Sequence, residues 1–352
     1  AVAIGAPTTW ILHNKVLNAP QPVQTQLAID RGTFSAREKG DKAITKSSSS
    51  LIDDRSLKVR DYQRLLVRLS FILSGTTVAA LGITLLVLIA IQDKLVYKPS
   101  KVINGQPETY GMPHYDNVRI TAPDSTLITG WFLRLSDDPA VYSVAPTMLY
   151  FHGRDKNASF RLKKVKELMD SVKCNVLLVS YRGFGLSEGK PTEKGMTLDA
   201  EAAMEYIRSR QDVNQSRLWV YGESLGGAVA VSFTHKSQSM LQGLILENTF
   251  TSLLDMINRV HPVLTPVRQL SRNRWRSDLR MPEIQIPVLF LSGLRDTFIP
   301  PRMMKELHNL AKDSVCTELV EFPGGTHNRT WRSRGFFEAI QGFVSKVESE
   351  SM

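Results

Sequence analysis

The sequence predicts a mostly parallel, doubly wound α/β sheet of eight strands, and three observations carry that prediction. Two strand-like runs, 117–121 and 127–134, flank the turn residues Ala122-Pro123-Asp124-Ser125 and form a leading hairpin. Six short apolar runs follow at 147–151, 176–181, 218–221, 244–247, 288–291 and 318–322, of the kind that parallel strands buried on both faces require. Between them lie helical stretches at 160–172, 196–210, 225–235, 302–311 and 335–347, the last with Phe336, Phe337, Ile340, Phe343, Val344 and Val347 along one face. A hairpin followed by strand–helix alternation describes a doubly wound sheet, whose functional groups gather at the carboxyl ends of the strands.

The 352 residues suffice for one large domain with additions, and 251–285, which breaks the alternation, is expected to be a helical cap or lid over the site. It holds Leu253-Leu254, Met256-Ile257, Trp275 and six arginines; a solvated basic loop is the competing expectation. The chain opens on Ala1, as expected of a fragment, a processed form or a mis-assigned start. Residues 1–54 are expected to be a disordered polar tail, with Trp10-Ile11-Leu12 too short for a signal peptide, and 55–68 a basic juxtamembrane segment. The charge-free run 69–92 exceeds the ~20 residues that a helix needs to cross a bilayer and is expected to be a transmembrane helix. Residues 93–116 are expected to be a linker and 117–352 the catalytic domain. Arg55, Lys58, Arg60, Arg64 and Arg68 precede the span, whereas Lys94, Lys98 and Lys101 follow it, a bias favouring a single-pass type II protein with a cytoplasmic N-terminus.

The net charge of +10 calls for anionic partners. A membrane surface fits better than nucleic acid, because neither a zinc spacing nor a basic-aromatic ribonucleoprotein pattern is present. No metal-ligand cluster, phosphate-cradling loop or dinucleotide fingerprint appears, so no metal and no cofactor is expected. Cys174 and Cys316, the two cysteines, are expected to be free thiols at the starts of separate strands.

The chemistry centres on 218–231, where an apolar strand breaks at Gly222, presents Ser224 and resumes as a small-residue helix. Gly222, Ser224 and Gly226 have the spacing of a nucleophile elbow, in which a strained turn holds the serine clear of the sheet at the head of a helix. A serine hydroxyl needs a base, and the base an orienting acid. Asp296 follows strand 288–291 and His327 follows strand 318–322, so three reactive groups end three different strands in the order Ser, Asp, His. Asp296 has an alternative role as a cap for the helix near Pro301, and Glu247 is a rival acid. The oxyanion donors expected are the backbone N–H of Leu225 and, from the loop after strand 147–151, that of Arg154. Each such donor is worth a factor of about a hundred to a thousand. Gly153 is expected to permit close backbone approach there, and His152 to brace the loop. Tyr181-Arg182-Gly183-Phe184-Gly185 reads as a tight structural turn near the site.

Taken with His152-Gly153, Gly222-Glu223-Ser224-Leu225-Gly226-Gly227, Glu247-Asn248-Thr249-Phe250, Asp296-Thr297-Phe298-Ile299-Pro300-Pro301 and Gly325-Thr326-His327-Asn328, these motifs resemble the membrane-anchored alpha/beta hydrolase domain-containing protein 13 group. That group lies in the serine aminopeptidase-like branch of the α/β hydrolases. The likeness spans Lys94 to the C-terminus and the preceding apolar run. It implies an α/β-hydrolase fold and a type II membrane hydrolase with Ser224, Asp296 and His327 as triad, and palmitoyl-protein thioesterase activity is proposed for relatives. The loop Arg154-Asp155-Lys156-Asn157 departs from the small, Gly-containing, Asn-rich loop usual in the group. The function expected is hydrolysis of acyl esters or thioesters, with the lipid bilayer and an acyl-lipid or acylated protein as partners. A lysophospholipase or glycerolipid lipase on the same machinery, and a silent binding module on the same fold, are the alternatives.

Overall fold

The computed structural model describes residues 38–350 apart from His261, with side chains from Leu51 onward. Expectations for residues 1–37, Trp10-Ile11-Leu12 among them, lie outside the described residues. The chain divides after Ala79 into two compact units. Helix α1 (Glu38–Val96) contributes to both, and among the described residues it is the one helix long and apolar enough to cross a membrane.

In the first unit the expected disordered tail is corrected from Glu38 on, since 38–54 continues the helix rather than preceding it. Extending an existing helix costs far less than nucleating one, and the next proline after Glu38 is Pro99. Pairs such as Lys58–Asp54 at 2.7 Å tie successive turns together.

The second unit carries the sheet. Its strands are β1 (Tyr115–Thr121), β2 (Leu127–Leu133), β3 (Thr147–Phe151), β4 (Asn175–Ser180), β5 (Leu218–Glu223), β6 (Gly243–Glu247), β7 (Val288–Gly293) and β8 (Thr317–Phe322). Their spatial order is β8-β7-β6-β5-β3-β4-β2-β1, with β1–β2 and β2–β4 antiparallel and every other pairing parallel. This is the eight-stranded, mostly parallel sheet that the sequence predicts. Alternation along each strand sends side chains to two cores. Leu218 and Val220 of β5 join Leu149, Phe151, Leu244 and Phe290 on one face. Trp219 and Tyr221 join Met148, Tyr150, Ile245 and Leu289 on the other. The first core is closed by α3 (Glu193–Ser209), α4 (Leu225–Ser237) and α6 (Pro301–Leu310), and the second by α2 (Leu162–Val172) and α7 (Phe336–Glu350). Helix α3 starts where Thr192 Oγ1 accepts from Gly195 N at 3.0 Å. Cys174 and Cys316 are both free, and burial pushes the Cys174 thiol up to about 12.

The expected linker 93–116 is a packed part of this unit, which begins at Ala80 and not at 117. Tyr97 is buried; its hydroxyl donates to Asn273 Oδ1 at 2.9 Å and accepts from Trp275 Nε1 at 3.0 Å. Asn273 Nδ2 donates to Asp93 Oδ1 at 2.6 Å, and Gln92 Oε1 accepts from Arg272 N at 2.6 Å. Lys98–Pro99 pairs in parallel with Asp155–Lys156. These bonds form because 271–275 and 93–100 meet only in the folded chain. The expected cap 251–285 accordingly divides in two. Helix α5 (Leu253–Val260) and the 3₁₀ turns Pro262–Leu270 stand over the carboxyl ends of the strands, while Trp275 and Met281 sink into the core.

Replacing Tyr97 by phenylalanine leaves the wholly buried Trp275 N–H without an acceptor. Urea denaturation of the full chain in detergent is expected to read a loss of about 1–3 kcal/mol; unchanged stability would show that this joint carries no weight.

Candidate active site

The elbow follows from register. Gly222 lies opposite Phe151 of β3 and Leu246 of β6, so the chain leaves the sheet between two flanking strands. Ser224 then takes φ 54° and ψ −120°, a strained conformation costing on the order of 1–3 kcal/mol for a residue with a side chain. The neighbourhood enforces it. A Cβ on Gly226 would stand 2.0 Å from the Phe151 carbonyl oxygen, and one on Gly222 would stand 2.4 Å from the Gly226 carbonyl oxygen. Ser224 N donates to Glu247 O at 2.9 Å, while Ser224 O accepts from Thr249 Oγ1 at 2.7 Å.

Ser224 Oγ lies 3.0 Å from His327 Nε2, and His327 Nδ1 lies 2.6 Å from Asp296 Oδ2. A carboxylate only accepts, so the imidazole carries its hydrogen on Nδ1 and presents a lone pair to the serine. Asp296 is nearly buried, and its Oδ1 accepts from the backbone N–H groups of Phe298 and Ile299 at 2.9 and 2.8 Å. Those bonds rule out the capping role, since α6 begins beyond Pro300, which makes no side-chain cap. Asn248 braces the histidine loop by donating from Nδ2 to His327 O and to Thr330 Oγ1 at 3.2 and 2.9 Å. Phe298 meets the His327 ring edge-on at 5.1 Å. Sequence reasoning gave Asn248, Thr249 and Phe298 no roles, although their motifs stood beside the reactive groups.

Beneath the serine lies a buried charge cluster that the sequence reading missed. The Glu223 carboxylate accepts from Arg161 Nε, from Lys164 Nζ at 2.6 Å, from Tyr150 OH at 3.0 Å and from Gly153 N at 3.1 Å. Lys164 also bonds Glu247, which in turn accepts from Tyr221 OH. Burial alone would raise the Glu223 pKa, but Arg161 and Lys164 outweigh it and hold the carboxyl well below its usual range. Glu247 is therefore committed to this cluster and is not the orienting acid. The signal was faint in sequence: Glu223 flanks the serine, but its partners lie 59 and 62 positions away.

The expected oxyanion donors are placed as follows. Leu225 begins α4, so its N–H has no helical partner one turn back. Arg154 lines the same cleft as Ser224 and Leu225. Its carbonyl accepts from Lys98 N at 2.9 Å, and its guanidinium donates to Leu95 O at 3.1 Å, capping the end of α1. Gly153 sits beside the serine. A Cβ there would meet Arg161 Nη2 at 3.4 Å and Ser224 Cβ at 3.6 Å, ordinary contact distances, so the backbone does not demand glycine.

His152 is wholly buried, with Nδ1 donating to Gly153 O at 2.8 Å and its ring packed on Tyr181 and Phe184. Its Nε2 has no hydrogen-bond partner. Tyr181 OH donates to His152 O at 3.0 Å, and Arg182 pairs with Asp124 and Asp199, as a structural turn requires. No group of residues able to hold a metal ion occurs among the described residues. Over Ser224 opens a cleft whose walls are apolar apart from Gln92, Ser271, Arg154, Arg268 and the serine itself. The arrangement brings a serine hydroxyl, an imidazole and a carboxylate together at an apolar cleft.

Comparison with known proteins bears on the family and the fold. Residues 143–279 match the family described as Serine aminopeptidase, S33 (Hydrolase_4). The alpha/beta hydrolase domain-containing protein WAV2 of Arabidopsis thaliana is 37% identical over 291 residues, covering 76% of this chain and 92% of its own. The uncharacterized membrane protein YNL320W of Saccharomyces cerevisiae is 30% identical over 287 residues, covering 80% of this chain and 98% of its own. Among solved structures, the Pyrococcus furiosus esterase Pf2001 aligns with a TM-score of 0.57 at 20% identity, over 71% of this chain and 98% of that one, a likeness of fold.

Burial lowers the His152 pKa from 6.5 to about 4. The unfolded chain therefore binds a proton there that the folded chain refuses, and stability rises with pH across that window. The contribution is complete above pH 6.5 and is lost as the pH falls towards 4, by roughly 3 kcal/mol. Melting temperatures of wild type and His152→Gln between pH 4 and 7.5 are expected to differ in slope within that window, and parallel curves would contradict it.

Proposed function

Because the chain belongs to the α/β hydrolase family, in its serine aminopeptidase-like branch, we propose that it is a membrane-anchored serine hydrolase that cleaves long-chain acyl esters or thioesters. The observation that carries this reading is the series Asp296–His327–Ser224, at 2.6 and 3.0 Å, opening into an apolar cleft. An acylated protein such as a palmitoyl thioester fits as substrate. The apolar helix, together with a relative named as a membrane protein, supports the anchoring. The basic excess before residue 69 supports a cytoplasmic N-terminus.

Ser224 Oγ attacks the acyl carbonyl while its proton passes to His327 Nε2. Asp296 stabilises the imidazolium that forms. Negative charge on the carbonyl oxygen is met by the N–H of Leu225, at the positive end of α4, and by that of Arg154. Collapse of the tetrahedral adduct expels the alcohol or thiol, which takes the proton from His327, and leaves an acyl ester on Ser224. Water, deprotonated by the same imidazole, releases the carboxylic acid and restores the serine. Arg161, Lys164 and Glu223 take no part in these transfers; they hold Gly153, and so the oxyanion loop, in place.

A fluorophosphonate probe is expected to label the full-length protein on Ser224 and to leave Ser224→Ala unlabelled. Asp296→Asn, which no longer selects the right imidazole tautomer, is expected to lower kcat by about 10⁴-fold on a p-nitrophenyl ester. Labelling that persists in Ser224→Ala would remove the reading.

A further inference from the structure

The wall of the cleft facing the cap comes from an unexpected element. Leu85, Leu88, Ile89 and Gln92 of α1 line it, at the i, i+3, i+4, i+7 spacing of one helical face. These residues belong to the run 69–92, which the sequence reads as the membrane span, yet they lie in the same compact unit as the site. Across the cleft stand Met256, Ile257, Val260, Leu264 and Val267 of the cap, with Ser224 and Leu225 at the floor.

We infer that the last turns of the span form one wall of an acyl-chain slot, through which a bilayer-resident ester or thioester slides sideways along α1 to Ser224. Three observations carry this. From Leu85 to Gln92 the helix wall runs about 10 Å, which suits a long acyl chain and not an acetyl group. The rim on both sides is apolar and exposed: Leu86 is 68% and Val87 50% exposed on the helix, Val263 84% and Leu270 48% on the cap. Apolar side chains rimming a slot in this way would face water at a cost, whereas acyl chains would cover them. Finally, the helix end is fixed to the domain. Gln92 accepts from Arg272 N, Asp93 pairs with Arg272 and Asn273, and Arg154 donates to Leu95 O, so the wall keeps its place beside the serine. The span is then part of the binding site and not only a tether.

The inference rests on the serine-hydrolase reading, and the test separates the two. Full-length protein in proteoliposomes is assayed with p-nitrophenyl palmitate and p-nitrophenyl butyrate. Leu88→Trp, which fills the slot, is expected to lower the palmitate-to-butyrate ratio of kcat/KM about tenfold or more. Leu88→Ala, which only removes volume and spares the fold, is expected to extend the preference to longer chains. Ile83→Trp, 63% exposed on the side of α1 turned about 200° from Leu85, is the control expected to match wild type on both esters. At fixed total ester, diluting palmitate ester with extra phospholipid is expected to slow hydrolysis in proportion to its mole fraction in the bilayer. Unchanged chain-length preference in both Leu88 variants, or a rate that follows total ester instead of mole fraction, would overturn the inference. Butyrate hydrolysis that survives Ser224→Ala would instead overturn the reading beneath it.

Discussion

Everything at the site hangs on one backbone constraint: Ser224 is held at positive φ between a strand and a helix that have no room to part. The Phe151 carbonyl fills the space that a Cβ on Gly226 would need, and the Gly226 carbonyl fills that of Gly222. A serine so confined cannot relax into the turn, and the packed sheet bears the strain. In consequence the hydroxyl stands above the carboxyl ends of the strands, where the loops after β7 and β8 bring Asp296 and His327. The same turn leaves the Leu225 N–H without a helical partner.

The second device is electrostatic. Placing Glu223, Lys164, Arg161 and Glu247 beneath the elbow is costly unless every charge is matched, and each one is. Such a cluster is a poor source of stability, and hydrophobic side chains would pack there at least as well. Its geometry suggests a positioning role instead. One carboxylate reaches both the elbow strand and Gly153 N, so it couples the nucleophile's strand to the oxyanion loop, with Tyr150 and Tyr221 stacked at 4.7 Å as a rigid partition.

Much of this was legible in the sequence, for identifiable reasons. Strands buried on both faces must be apolar, so β3 to β7 could be read off as apolar runs, while β1 and β2 were read from the turn between them. Asp296 and His327 each stand just past such a strand, which made their convergence with Ser224 readable without coordinates. The charge cluster was not readable, because Lys164 and Arg161 look like the solvated side of an amphipathic helix until Glu223 arrives from about sixty residues away. The linker escaped for the same reason: Asp93 and Tyr97 have partners near position 273, some 180 residues on. Helix α1 ran further back than its composition suggested because propagation is cheap once the apolar turns have formed.

The fold, the strained elbow, the hydrogen-bonded series and the apolar cleft converge on one chemical claim, that acyl groups pass through a covalent ester on Ser224. The most direct measurement is rapid acid quenching of the full-length protein during turnover of a long-chain acyl ester, followed by proteolysis and peptide mass spectrometry. The account predicts that the peptide bearing Ser224 carries the acyl mass during turnover, and that His327→Gln, which lacks the base for the attack, yields far less of it. Turnover that continues with no acylated Ser224 peptide, or with the acyl group on another residue, would contradict it.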